Sequence, residues 1–339
     1  MSADPAGGDR PGLTPEDEGG TREDGAPGSR APFTVPPEGA ERARSKACEL
    51  GGSQRMDVAV ISGATFTHKA VTYYSVNGIA IVEGDIALGH VGDVQRLTEL
   101  ARSAAASGDT RTFGVGIPGQ TFRWPNCLMP YEIDPDLPDP DRVRAAMEHW
   151  STLTPFRFVE RTPANASRYP NYAYFTDAVG CWSYVGMRGG KQPVSLGREC
   201  EVGSVIHEIG HAVGLWHEQS REDRDLYVHV NWDNIQDGMK AQFNQRITDG
   251  DDYGPYDYGS IMHYPRWAFS KNGLDTITPI DPSVQIGQRT ALSPSDIATV
   301  ALMYPECNAG VVGTASVASA TGVAGAAGVA GAGRPGGVR

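Results

Sequence analysis

The sequence predicts an α+β fold arranged around one histidine-bearing helix, and three observations carry that reading. Between residues 122 and 196, short β-branched or aromatic runs surround a single helical pattern. Next, His207–His217 reads H-E-x-x-H-x-x-G-x-x-H. Beyond it, residues 226–285 are rich in Tyr, Asp and Gly with little periodicity, before one last helical pattern.

Taken in order, residues 1–55 are poor in aromatic and β-branched types and heavy in Pro, Gly, Glu and Asp. That composition predicts a disordered acidic tail. From 56 the texture changes. Val58–Ile61, Ala70–Val76 and Ile79–Val82 read as strands, and Asn77-Gly78 between the last two is a hairpin signal. Val91, Val94, Leu97 and Ala101 keep helical spacing, so 90–105 reads as a helix. Residues 106–120, with Ser, Gly, Thr and Arg111, read as an exposed, cleavable connection.

The next region opens at Phe122-Arg123-Trp124-Pro125. Asp139 and Pro140 suit the N-cap and first position of a helix whose apolar face is Val143, Met147 and Trp150. Phe156–Val159 and Tyr172–Phe175 read as strands. Gln192–Leu196 reads as a strand at a sheet edge, because Pro193 has no N–H for an inner ladder. Ser293-Pro294 opens the last helix, with Ile297, Val300, Ala301 and Tyr304 on one side. Residues 308–339 are almost only Gly, Ala and Val, a low-complexity tail with no expected fold.

The histidine pattern carries the chemistry. Residues four apart on a helix lie about 40° apart around its axis, so His207 and His211 share a face and can reach one metal ion. Gly214 can adopt positive φ, end the helix and bring His217 to the same ion. Three imidazoles leave a coordination position open, the mark of a catalytic zinc. Glu208 lies beside that face, within reach of a water on the metal. Histidine is sparse, 8 of 339 residues. A bare H-E-x-x-H would arise by chance in roughly one such chain in a hundred, and the added Gly and His make chance far rarer. His68, His90, His149, His229 and His263 lack ligand spacing and read as structural.

A formal net charge of −12 and no basic stripe argue against a nucleic-acid partner. No apolar run is long enough for a transmembrane helix. The first 30 residues lack the basic start and apolar stretch of a signal peptide. Five cysteines, Cys48, Cys127, Cys181, Cys200 and Cys307, leave at least one unpaired within the chain. Asn165-Ala166-Ser167 is a glycosylation acceptor, meaningful in a eukaryotic secretory cell.

Around His207–His217 the chain continues as Glu218-Gln219-Ser220-Arg221-Glu222-Asp223-Arg224-Asp225, and later as Tyr256-Asp257-Tyr258-Gly259-Ser260-Ile261-Met262-His263-Tyr264. With Cys181-Trp182-Ser183-Tyr184-Val185-Gly186 and Ile286-Gly287-Gln288-Arg289, these runs resemble the astacins, a branch of the metzincin zinc endopeptidases. The resemblance spans roughly residues 120–307. It implies the zincin fold: a twisted, mostly parallel upper sheet with an antiparallel edge strand, a long active-site helix, and an irregular lower subdomain with a C-terminal helix. It also implies a prosegment at 56–115 and a catalytic domain at 116–307. In such a protein Zn2+ is held by His207, His211 and His217, and Glu208 is the catalytic base. Met262 forms a methionine turn beneath the metal. Tyr264 ligates zinc at rest and swings away to stabilise the oxyanion. A cleft-rim strand, matched to 192–196, pairs with protein or peptide substrates bound extended.

Further expectations follow from the same resemblance. Astacin prosegments carry an F-x-G-D motif whose aspartate binds the zinc. Val82-Glu83-Gly84-Asp85 matches it in part, which makes Asp85 a candidate zymogen switch. The other readings are that Gly84-Asp85 is only a hairpin turn, or that Cys48 is the blocking ligand. Glu218 is the expected partner of the new amino terminus after processing. Cys181 and Cys200 match a family disulfide. Cys307 matches half of a second one, but Pro155 stands where its usual partner would be, leaving Cys127 as an alternative. The family is secreted, and a monomer is expected. Ser283 and its neighbours supply no basic residue ahead of Ile286-Gly287-Gln288-Arg289, so no strong preference for acidic substrates is expected, although Arg289 is near. The rival function is an inactive zinc-binding or adhesion module on the same scaffold.

Overall fold

The computed structural model describes residues 56–62, 69–107, 115–116, 123–246 and 252–308. The tail at 1–55 with Cys48, most of the 106–120 connection with Arg111, His68, and residues 309–339 lie outside them.

The N-terminal part supplies β1 (Met56–Ser62), β2 (Lys69–Val76), β3 (Ile79–Val82), β4 (Ile86–His90), α1 (Val91–Ser107) and β5 (Val115–Gly116). Asn77 and Gly78 take φ of 48° and 81° and join β2 to β3, as the Asn-Gly pair predicts. The expected 90–105 helix is α1. There follow β6 (Leu128–Ile133), α2 (Asp141–Leu153), β7 (Arg157–Glu160), β8 (Tyr172–Thr176), β9 (Cys181–Tyr184), β10 (Lys191–Leu196) and α3 (Val202–Val213). Past α3 the chain is mostly short 3-10 turns with one two-stranded pair, β11 (Val228–Val230) and β12 (Ile277–Pro279). It closes with α4 (Pro294–Met303) and α5 (Pro305–Asn308). Ser293 and Asp296 form a reciprocal capping box that starts α4.

One sheet runs through both parts, in the order β5-β1-β2-β3-β4-β9-β10-β8-β6-β7. β7, β6, β8 and β10 are mutually parallel, and β9 runs antiparallel to β10. β4 then pairs parallel to β9 through Ile86↔Ser183 and Ala87↔Tyr184. Of the strands after residue 122, β9 borders the N-terminal strands and β7 ends the sheet, so the expectation that 192–196 forms an edge is corrected. Pro193 is tolerated because β9 pairs only with Ser195 and Leu196, so at Pro193 the strand has β8 as its one neighbour.

α2 starts slightly later than expected. Asp139 sits at φ 49°, outside the helix, and Pro140 is the capping residue, with its carbonyl accepting from Val143 and Arg144. α2 and α3 lie against the parallel strands over a core that includes Trp150, Phe156, Phe175, Val205 and Ile209. Polar atoms of the core aromatics are satisfied by α3 backbone: Trp150 Nε1 donates to Ile206 O at 3.0 Å, Trp124 Nε1 to Ala212 O at 2.7 Å, and Tyr304 Oη to Val213 O at 2.7 Å. These bonds fix the depth of α3. Arg142, also buried, donates to Gly197 O and Leu196 O and ties α2 to the chain leading into α3.

Candidate metal centre

α3 is buried nearly all round, so its His and Glu side chains are polar groups in a core position. The helix ends at Gly214, φ 125°, whose N–H bonds back to Gly210 O and His211 O. A residue with a Cβ would be strained there. The reversal carries His217 back to the first two histidines. The three rings lie 4.7, 4.8 and 5.4 Å apart, centroid to centroid.

Each imidazole is oriented by an acceptor at Nδ1. His207 Nδ1 donates to Ile261 O at 2.8 Å, His211 Nδ1 to Leu215 O at 2.8 Å, and His217 Nδ1 to Glu83 Oε2 at 2.9 Å. A proton at Nδ1 leaves the lone pair at Nε2. All three Nε2 atoms are buried without a hydrogen-bond partner, and they converge. Buried polar atoms seldom stay unsatisfied, and three convergent lone pairs on neutral imidazole fit a zinc ion.

Asp85 lies among them. Its carboxylate oxygens are 3.3 Å from His207 Nε2, 3.5 Å from His211 Nε2 and 3.1 Å from His217 Nε2. Burial pushes this carboxyl up, but the His217 charge and the imidazoles around it hold it well below its ordinary range. Burial lowers His217, and the carboxylates Asp85 and Glu83 outweigh it and raise the imidazole to about 9. His207 and His211 are instead pushed down, chiefly by burial. Asp85 reaches it from the turn between β3 and β4, where Val82 pairs with Ile86. Gly84 takes φ 82°, and a Cβ on it would lie 2.8 Å from Phe269 Cζ and 3.2 Å from Tyr264 Oη. Gly84-Asp85 is a hairpin turn whose carboxylate stands among the histidines.

Glu208 is buried, and its Oε2 has no hydrogen-bond partner. Burial and then the Asp85 charge hold its carboxyl well above the ordinary carboxylate range. Beneath the rings, Met262 packs so closely on α3 that a Cβ at Gly210 would lie 2.7 Å from its Sδ. The turn holding Met262 is fixed from two sides: Asp296 accepts from Ser260 Oγ and Ile261 N, and Arg289 donates to Ile261 O and His263 O. Tyr264 is buried, its ring 4.6 Å from that of His217, and its hydroxyl donates to the Glu83 carbonyl. Glu218 Oε1 accepts from Asp257 N at 2.8 Å, yet burial raises its carboxyl to about 8.

The disulfides are Cys181–Cys200 and Cys127–Cys307. The other described histidines stay apart from the cluster. His149 Nε2 accepts from Leu292 N, His263 Nε2 lies 2.6 Å from Tyr256 Oη, His90 ends β4 and His229 sits in β11. Sequence reasoning passed over Glu83, Ser220 and Arg246. Their juxtaposition spans more than 130 residues, and no local spacing announces it.

The family model for the Astacin peptidase family matches residues 117–305, more than half of the chain. Blastula protease 10 of Paracentrotus lividus is 44% identical over 200 residues, covering 56% of this chain and 33% of that protein. Zinc metalloproteinase nas-13 of Caenorhabditis elegans is 40% identical over 208 residues, covering 58% and 45%. The chain thus spans less than half the length of these relatives. High choriolytic enzyme 1, a hatching enzyme zinc-protease from Oryzias latipes, superposes with a TM-score of 0.51 at 37% identity, covering 56% of this chain and 96% of that one. With two histidines on α3, a third from the turn after it and Met262 packed against the helix, these similarities place the chain in the astacin family of peptidases.

Proposed function

We propose that this chain is a zinc-dependent endopeptidase made as a zymogen, with its catalytic domain at 116–307 and its prosegment at 56–115. The observation that carries the reading is the convergence of three partnerless Nε2 atoms around the Asp85 carboxylate.

Bound zinc would acidify a water and polarise the scissile carbonyl. Glu208 takes the proton from that water and delivers it to the leaving amine nitrogen. Burial pushes the Glu208 carboxyl well above its ordinary range, and with the hairpin in place the Asp85 charge adds to that push. Removing the hairpin removes that charge. The Tyr264 hydroxyl, tied to Glu83 O in the unprocessed chain, becomes free to donate to the developing oxyanion. An extended peptide substrate takes the place of β4 along the outer edge of β9. Glu218, a buried carboxyl raised to about 8 although Arg221 Nε lies 3.6 Å from its Oε1, is the partner of the new amino terminus.

A monomer acting in an oxidising, extracellular compartment fits the two disulfides. No helix among the described residues is long and apolar enough to cross a membrane. The inactive-module reading gives no use to a buried, unpartnered Glu208. The separating experiment is casein hydrolysis by the processed protein. A chelator is expected to abolish it and stoichiometric Zn2+ to restore it, and no hydrolysis under any metal condition sinks the enzyme reading.

A further inference from the structure

Glu83 is the most deeply buried acid of the N-terminal part, and the proposed switch makes no use of its carboxylate. It stands at φ 48°, a left-handed conformation that a side-chain-bearing residue rarely adopts. Its Oε2 accepts from His217 Nδ1 at 2.9 Å and from Ser220 Oγ at 3.0 Å. Its Oε1 is ion-paired with Arg246 Nε, and the Arg246 guanidinium lies over the Trp216 ring at 4.7 Å from its centroid. Its backbone N–H donates to Gln242 Oε1. Every one of these groups belongs to residues 216–246, on the catalytic side. A buried carboxylate met by an imidazole N–H, a hydroxyl and a guanidinium sits in a formed site. That site lies on the Nδ1 side of His217, whereas the metal position lies on the Nε2 side.

We infer that the catalytic region carries a second carboxylate-binding pocket, made by His217 Nδ1, Ser220 Oγ and the Arg246 guanidinium, and that Glu83 fills it as an anchor independent of zinc. This deepens the proposed function and rests on its reading of 56–115 as a prosegment. The hairpin is then held by two carboxylates of different kind. Asp85 stands on the Nε2 side, among the three imidazoles. Glu83 acts behind His217, away from the metal position. Loss of zinc leaves the Glu83 anchor in place.

The test is hydrogen exchange, read by mass spectrometry, on the full chain with zinc and after its removal by a chelator. In the zinc-free parent, the amides of β4 are expected to stay protected. Glu83→Gln is expected to speed their exchange by about tenfold or more, since one partner of a buried ion pair is lost. Asp85→Asn is expected to leave the Glu83 anchor intact, so that adding Arg246→Gln to it speeds zinc-free β4 exchange as it does in the parent. Exchange in β6 and α2 reports the catalytic fold and should not move. Arg246→Gln is the second route: it should loosen β4 alike, and its double variant with Glu83→Gln should do no more than either single one. β4 exchange in zinc-free Glu83→Gln within twofold of the parent, or acceleration spread equally over β6 and α2, overturns the pocket. So does a Glu83→Gln chain that fails to fold while Arg246→Gln leaves β4 unchanged. The readout needs no catalysis. A chain whose Glu83 anchor behaves as described while Asp85→Ala stays silent toward substrate refutes the zymogen switch and leaves the pocket standing.

Discussion

At the scale of single residues, the centre separates holding a metal from moving a proton. Glu208 contributes no Nε2-like lone pair to the cluster, so Glu208→Gln is expected to retain one zinc per chain while turnover of a protein substrate falls by about 10²–10⁴-fold. Metal analysis beside steady-state rates checks both halves, and a variant keeping a tenth of parental turnover rules out the role. Tyr264 is placed to act on charge that appears late. Tyr264→Phe is expected to lower kcat of the processed form by about 10²-fold and to leave KM within about threefold. The opposite split, raised KM at unchanged kcat, assigns the phenol to ground-state binding instead. The ligands were legible because helical spacing is local information: His207 and His211 need only one turn of α3, and His217 only the reversal at Gly214. Glu83 and Arg246 were not, because they meet across 163 residues.

At the scale of elements, the proposed function makes the β3–β4 hairpin the switch of the centre. Its tip carries a carboxylate to the histidines, and its second strand lies on β9. Asp85→Ala is therefore expected to give the uncleaved chain measurable peptide hydrolysis, and Cys48→Ala to leave it silent. Activity in the Cys48 variant alone would transfer the switch to the thiol. The sequence marked the β2–β3 turn through Asn77-Gly78 and the β3–β4 turn through Gly84-Asp85, both short-range turn chemistry. It misplaced the cleft edge for an instructive reason. Pro193 does report a strand position with a neighbour missing, but a ladder of two residue pairs between β9 and β10 leaves such a position inside the sheet. How far a ladder extends is a tertiary property.

At the scale of the whole molecule, two cross-links frame the catalytic region. Cys127–Cys307 joins residues 180 apart, tying the entry into β6 to the end of the last helix. A closure of that length limits the unfolded chain strongly, so Cys127→Ser is expected to cost about 2–5 kcal/mol, measured by urea unfolding of the oxidised protein. Cys181–Cys200 closes a much shorter loop beside β9. The long pairing was only one of the alternatives that counting cysteines left open, because connectivity cannot be read from spacing.

The continuity of the sheet through β4 and β9 has a further consequence for handling. While the N-terminal strands remain, β9 is an interior seam of a larger sheet. On the proposed processing their departure turns the same strand into a raw border with unpaired amides and carbonyls. Such borders zip onto any extended chain, another copy of the same protein included. A processed form is therefore expected to stay dispersed only as long as that border is occupied or its copies are few.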